Sequence, residues 1–153
     1  TLGVGAFAYD PYAYLNGKKE FLRPLGTEGQ NIGYNGRKQY GPISVCIPLG
    51  VGFKYNIGER TNFFFEIAHR FTFTDYLDDV STTYVGASKF PLLSSGDPSP
   101  ARLLQDRSYE IDPNNIIGVE GRQRGWSKQK DQYIFAEVGL SLNISTYRCP
   151  SSN

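Results

Sequence analysis

Residues 43–57 alternate between apolar side chains and small or polar ones. The apolar residues occupy the odd positions: Ile43, Val45, Ile47, Leu49, Val51, Phe53, Tyr55 and Ile57. Successive side chains of a β-strand point to opposite faces, so the pattern predicts one long strand with an apolar face and a polar face. At about 3.3 Å per residue it would reach roughly 50 Å, whereas most strands end after about 5–6 residues. Such a strand is typical of one that crosses a membrane.

The same alternation recurs in three other segments, at residues 2–9, 62–74 and 132–145. In each of them apolar side chains again occupy every second position, with no competing helical period. The sequence therefore predicts an all-β protein with four long strands, at about 2–9, 43–57, 62–74 and 132–145.

The connections between these strands differ greatly in length. Residues 58–61 form a short turn, whereas residues 10–42 and 75–131 form two long loops. Outer-membrane barrels combine short periplasmic turns with long extracellular loops, so we expect an antiparallel transmembrane β-barrel with both long loops outside the cell. The turn and the C-terminus would then face the periplasm.

Four strands are too few to close a barrel, since the smallest outer-membrane barrels have about eight. An open sheet would leave unpaired backbone groups in lipid. We therefore expect either further strands before Thr1, behind a signal peptide, or an assembly of several copies, and we favour the first. Residues 1–153 would then be the C-terminal part of a single barrel domain, which we expect to have eight strands when complete.

Composition fits this fold class. Aromatic residues make up 14% of the chain, and such residues gather at the two interfaces of barrel proteins. No segment approaches the roughly 20 consecutive apolar residues of a transmembrane helix. The net charge of +1 lacks the dense positive field of nucleic-acid binding, so we expect no nucleic-acid partner. Cys46 and Cys149 are predicted at opposite ends of strands, too far apart for a disulfide, which predicts two free thiols.

Four charged residues fall on the predicted polar faces: Lys54, Glu66, Arg70 and Glu137. Inside a barrel these faces meet, so we expect a charge network in the lumen that stiffens a narrow barrel, because buried charges persist only when they are paired. A proton or solute path is the alternative. Small barrels have interiors filled by side chains, which argues against a wide pore.

His69 is the only histidine and falls on the apolar face, which excludes a site with several histidine ligands. A hydrolase that pairs His69 with a serine stays possible, although the chain has no G-x-S-x-G motif. Asp75, Asp78 and Asp79 begin the second long loop, where carboxylates commonly cap turn N–H groups. Calcium binding is the alternative there, without the spacing of an EF-hand.

Residues 122–130 carry four basic side chains and the only tryptophan of the chain. A solvated loop is the plainer interpretation. The alternative is a contact with lipopolysaccharide phosphates or with an acidic partner.

Several segments resemble one family of small outer-membrane barrels. Residues 22–30, LRPLGTEGQ, resemble the family segment LQPLGTEGQ, and residues 47–55 resemble its IPxGxGxKY strand. Residues 66–84, EIAHRFTFTDYLDDVSTTY, are similar to its E-x-x-x-R-x-T-x-T-D-Y-L-D-D-V-S-x-x-Y hallmark. Residues 124–135 resemble its entry into the last strand. The family is that of the PorG-like barrels of Bacteroidota, which serve type IX secretion and, in some bacteria, gliding motility.

The resemblance implies a non-enzymatic protein integral to the bacterial outer membrane. Its role would be an accessory scaffold of the type IX machinery that anchors periplasmic ring lipoproteins of the PorK and PorN type. Outer-membrane lipid or lipopolysaccharide would be its other partner, and it implies no catalytic residue, cofactor or metal. The motif positions that it singles out are Asp75, Tyr76, Asp78, Asp79, Ser81 and Tyr84.

Two other functions stay open. The first is an accessory barrel of another outer-membrane complex, for assembly or uptake, that binds a partner through its long loops. The second is an outer-membrane lipid hydrolase.

Overall fold

A computed structural model describes residues 1–58 and 60–144. The fold is mostly β, with 38% of the chain in strands and 15% in helices. The chain divides into two compact units. Of the described residues, the strand unit comprises 1–5, 46–71 and 132–144, and the loop unit comprises 6–45 and 72–131.

The described strands and helices follow one another with short connections in the first part of the chain. The strands are β1 (Gly5–Ala8), β2 (Tyr12–Leu15), β3 (Lys18–Phe21), β4 (Ile43–Asn56), β5 (Thr61–Thr72) and β6 (Gln132–Leu142). The α-helices are α1 (Leu22–Leu25) and α2 (Pro100–Leu104), and 3₁₀ turns occur at Gln30–Ile32, Tyr34–Gly36, Ala87–Lys89 and Ser108–Glu110. Within residues 1–58 and 60–144, no helix has both the length and the apolar character needed to cross a bilayer.

The four strands predicted from sequence are present, and three of them are long. They correspond to β1, β4, β5 and β6, which form one curled, antiparallel and partly barrel-like sheet in the order β1-β4-β5-β6. The predicted first strand is the least complete, because only Gly5–Ala8 is continuous and Leu2 makes an isolated bridge to Leu49. Closure into a complete transmembrane barrel stays a prediction, as does the assignment of the whole chain to one domain.

The register of the sheet places the predicted apolar side chains on a common face. Phe63 of β5 lies opposite Leu140 of β6, and Phe65 lies opposite Val138. On the other side of β5, the hairpin to β4 closes where Ile57 N donates to the carbonyl of Thr61. Since side chains alternate along each strand, this register keeps the apolar positions of neighbouring strands together.

Glycines let the strands approach closely on the polar face. A Cβ atom at Gly50 would lie 2.7 Å from Ala68 Cβ and 2.8 Å from the carbonyl oxygen of Ile67. A Cβ atom at Gly139 would lie 2.5 Å from the ring of Phe64, its partner across the strand pair. Glycine is therefore required at these positions, where the sheet curls or where an aromatic ring covers the backbone.

The loop unit contains a second hairpin that the sequence analysis did not predict. Strands β2 and β3 pair antiparallel, with Leu15 opposite Lys18. The connection is Asn16-Gly17, and both residues have positive φ, 51° and 78°. An Asn-Gly pair between two short strands is the standard signal for a two-residue hairpin turn.

The loop unit also has its own small apolar core. Val85, Phe90 and Ala101 are buried together, and Leu25 and Tyr34 pack against them. The segment from 86 to 121 contributes two of these three buried residues.

Candidate functional site

The most unusual surface of the strand unit is a set of apolar side chains that point into solvent. We call it the apolar face. It comprises Leu2, Val4, Ile47, Leu49, Val51, Phe53, Tyr55, Ile57, Ile67, Phe71, Ile134, Val138, Leu140 and Leu142. Val51 is 78% exposed and Leu140 is 67% exposed. Soluble proteins seldom expose so large a contiguous apolar surface, so this face is a candidate for contact with lipid or protein.

The opposite face of the same strands contains their buried residues, although Lys54 and Glu137 on that face are exposed. Cys46 is 2% exposed, and Ala68 and Asn62 are also buried. The prediction that the thiol of Cys46 is free is confirmed, whereas Cys149 lies outside the described residues. This sheet therefore inverts the usual arrangement, with large apolar groups outside and small or polar groups inside.

The polar face contains groups that lack partners. Asn62 and Ser141 lie directly opposite each other on β5 and β6. Asn62 Nδ2 and Ser141 Oγ are both buried with no hydrogen-bond partner in the part of the chain that the structure describes. Burying an unpaired polar atom is unfavourable by about 1–3 kcal/mol. Further polar groups opposite this face would supply hydrogen-bond partners for these two atoms.

The four residues of the predicted charge network do lie on the polar strand positions. Glu66 and Glu137 are directly opposite each other, a like-charged pair. Arg70 donates a 3.0 Å hydrogen bond to the hydroxyl of Tyr133, and its guanidinium carbon lies 4.5 Å from the ring centroid of Phe135.

Across residues 1–58 and 60–144, no ion pair joins Lys54, Glu66, Arg70 and Glu137 to one another. The charge network therefore stays a prediction. Like charges directly opposite on two strands are destabilising. A cation from outside the described strands would relieve the repulsion between the two glutamates.

His69 stacks on Phe71 with ring centroids 4.2 Å apart, and its Nε2 atom lies 2.9 Å from Oε1 of Gln132. The predicted alternative of a hydrolase requires a serine hydroxyl as the partner of this imidazole. In the structure that nitrogen is engaged by the Gln132 amide oxygen instead.

A buried carboxylate organises the loop unit. Glu28 is 0% exposed and accepts hydrogen bonds from the backbone N–H groups of Ser81 at 2.9 Å and Thr82 at 3.1 Å. The Thr82 hydroxyl adds a third bond at 3.0 Å, and Arg124 Nη1 lies 3.4 Å from the carboxylate. A buried charge is stable only when it is paired and hydrogen-bonded in this way.

A second buried carboxylate extends this network. Asp79 accepts hydrogen bonds from the hydroxyls of Thr27 and Tyr40, the latter at 2.7 Å. Its backbone carbonyl accepts from Arg124 at 2.9 Å. Arg124 thus joins the segments around residues 27–28, 79–82 and 124. We call Thr27, Glu28, Asp79, Ser81, Thr82 and Arg124 the Glu28 network.

Burial raises the pKa of Asp79, and the hydrogen bonds from Thr27 and Tyr40 oppose that shift. Burial, together with the charge of Asp79, also raises the pKa of Tyr40. The pKa of Asp106, elsewhere in the loop unit, is instead lowered. Burial alone would raise its pKa, but hydrogen bonds from the Ser108 N–H and hydroxyl and from the Gly118 N–H outweigh that effect and lower it.

The motif positions singled out from sequence divide between buried and exposed roles. Asp75 accepts from the Ser81 hydroxyl, and the Tyr76 hydroxyl donates to Glu28 at 3.4 Å. Asp78 caps the N–H of Val80 at 3.0 Å, and Tyr84 lies under the guanidinium of Arg124 at 5.9 Å.

The carboxylate oxygens at the start of this loop are thus used by protein donors. In the described part of the chain, no group of three or more His, Cys, Asp or Glu side chains is arranged to hold a metal ion.

Sequence reasoning did not single out Glu28, Thr27 or Arg124 as site residues. The available signal was their presence in two of the quoted segments, each beside a glycine. Gly125 is required at its position because a Cβ atom there would lie 2.7 Å from the backbone of Ser81.

Comparisons with protein-family models, with characterised proteins and with solved structures find no match to this chain. The family resemblance therefore depends on the motif residues themselves.

Replacing the buried carboxylate tests the Glu28 network. Glu28→Gln keeps the shape but removes the charge and turns an NH₂ group toward N–H donors. We expect the free energy of unfolding to fall by about 2–4 kcal/mol, measured by urea titration with circular dichroism. Glu120→Gln, at an exposed carboxylate bonded to Lys89 and Tyr34, should lower it by less than about 1 kcal/mol. Equal effects would contradict a central role for Glu28.

Two aspartates of the loop unit should respond to pH with opposite sign. A folded-state pKa raised above the unfolded value lowers stability as pH rises through that interval. Asp79→Asn removes this effect, so the destabilisation caused by the substitution should shrink as pH rises above the unfolded pKa of aspartate, about 3.9. Asp106 has a lowered pKa and adds stability above its unfolded value, so the destabilisation by Asp106→Asn should grow as pH rises from about 3 to about 5. Parallel pH profiles for the two variants would contradict this assignment.

Proposed function

We propose that this chain forms part of an integral outer-membrane β-barrel that serves as an accessory scaffold of the type IX secretion machinery. Its task would be to hold periplasmic ring lipoproteins of the PorK and PorN type at the membrane. The observation that carries the membrane part of the proposal is the apolar face, displayed outward by long antiparallel strands.

The energetics of this face favour lipid. Each fully buried Val, Leu, Ile or Phe side chain gains about 1.5–3 kcal/mol on leaving water. The apolar face holds many such side chains, whereas the opposite face holds small residues, unpaired polar atoms and two facing glutamates. Both faces would be in favourable surroundings if lipid covered the apolar face and a packed barrel interior lay against the polar face.

Strand edges also support a larger assembly. In the order β1-β4-β5-β6, the outer edges of β1 and β6 have no neighbouring strand among the described residues. In lipid each unsatisfied backbone group is unfavourable by several kcal/mol. Additional strands, from a preceding segment or from other copies, would pair these edges and close the barrel.

The scaffold part of the proposal is supported by the hydrogen bonds that the motif residues make within the protein. Asp75, Tyr76, Asp79 and Ser81 engage their polar groups with other protein groups. Their interactions fix the shape of a loop, as a docking protein requires. The specific machine, with its gliding role in some bacteria, is inferred from the motif resemblance.

A barrel subunit of an assembly or uptake complex is the second candidate. It is favoured by the ordered loop unit, whose own core and buried network give it a defined surface for a partner. A lipid hydrolase has less support, since His69 bonds Gln132.

Site-specific photo-crosslinking in native membranes separates these functions. A photoreactive amino acid at Arg60, in the turn proposed to face the periplasm, should capture a ring lipoprotein. The same group at Lys38, an exposed position in the loop unit, serves as the matched control and should not. Capture of an assembly or uptake subunit in place of a ring lipoprotein would contradict the secretion role.

A further inference from the structure

The loop unit has a surface pocket of about 300 Å³ that the proposed scaffold role does not use. Its lining includes Thr82, Thr83, Gln123, Trp126, Ser127 and Lys128. This volume is at the lower end of the range for small-molecule sites, about 300–1,000 Å³. It suits one or two sugar rings.

The floor of the pocket is rigid. The carbonyl of Thr82 accepts hydrogen bonds from the N–H groups of Arg124 at 2.8 Å and Gly125 at 3.0 Å. The N–H of Thr82 donates to Glu28, so the floor is continuous with the Glu28 network. A Cβ atom at Gly125 would lie 2.7 Å from the backbone of Ser81, so the backbone that leads to Trp126 packs closely against that residue.

Trp126 is displayed on this rigid backbone rather than packed. Its side chain is 61% exposed, and the turn that carries it is closed by a 3.1 Å bond from Gln129 N–H to the Trp126 carbonyl. Large aromatic side chains normally bury 150–250 Å². An indole held open beside a pocket offers a flat face for the C–H side of a sugar ring and an N–H donor for its hydroxyls.

The polar groups around the indole are available to a ligand. The side chains of Gln123, Ser127 and Lys128 make no hydrogen bond or ion pair to the described residues. The nearby carboxylate of Glu120 is already engaged by Lys89 and Tyr34. The pocket thus presents an amide, a hydroxyl and an uncompensated positive charge.

We propose that this pocket binds an acidic sugar chain, with the ring of Trp126 stacked on a sugar and the ammonium of Lys128 paired with its carboxylate or phosphate. A free polysaccharide and a lipid-linked surface glycan present the same chemistry. The proposal stands on the loop unit alone and is independent of the secretion role.

Trp126 is the only tryptophan among residues 1–153, so the intrinsic tryptophan fluorescence of this chain in detergent reports directly on the pocket. We expect a saturable fluorescence change with tetragalacturonate, the free-chain probe, and with deacylated lipopolysaccharide core oligosaccharide, the probe for lipid-linked glycan. Maltotetraose should bind more weakly, and inorganic phosphate should give no saturable change.

Variants separate the two contacts. Lys128→Gln should weaken tetragalacturonate binding roughly three- to five-fold, the effect of one exposed ion pair, and leave maltotetraose binding unchanged. Lys38→Gln, which removes an exposed lysine elsewhere in the loop unit, should change neither. By calorimetry, Trp126→Phe should retain most of the binding and Trp126→Ala should lose at least ten-fold.

The absence of saturable binding to either acidic probe in the unmodified chain would overturn the proposal. So would tetragalacturonate binding that is unaffected by Lys128→Gln and Trp126→Ala, or saturation by phosphate alone, which would indicate a simple anion site. Circular dichroism of each variant verifies that the fold is retained.

Discussion

The strand unit depends on one constraint: its large apolar side chains face outward, so they require surroundings other than water. Val51 and Leu140 are exposed while Cys46 and Ala68, on the opposite face, are buried. A hydrophobic driving force in water would favour the reverse arrangement. Glycines, the close strand approach and the unpaired polar atoms of the inner face all become understandable if lipid covers the outer face and further strands complete the inner one.

The loop unit consists of two long connections between strands, and interactions within it give these connections a defined shape. Its apolar core is small, so buried hydrogen bonds and charge pairing supplement it. Glu28 and Arg124 tie together segments that are far apart in sequence, and Asp79 is held in the same network. Removing one partner from such a network leaves an uncompensated buried charge, which is strongly destabilising.

The long strands were predictable because a period of two is a direct consequence of strand geometry, and Ile43–Asn56 shows it over its whole length. The β2–β3 hairpin also has a local signal in the sequence, the Asn16-Gly17 pair, because both of its residues adopt positive φ in the two-residue turn. The role of Glu28 was not predictable in this way, because its partners lie about fifty residues away and only folding brings them together. The motif resemblance drew attention to residues 75–84, but it did not indicate that Asp75 and Asp79 accept hydrogen bonds from hydroxyl groups.

Site-directed spin labelling in vesicles tests the central claim most directly. In a Cys46→Ser, Cys149→Ser background, single cysteines at Val51 on the apolar face, at Lys54 on the polar face and at Lys38 in the loop unit would carry the label. We predict that the Val51 label collides readily with oxygen and is shielded from a water-soluble nickel chelate, whereas the Lys38 label shows the opposite and the Lys54 label is shielded from lipid. A Val51 label as accessible to the nickel chelate as the Lys38 label would contradict lipid contact, and with it the proposed barrel.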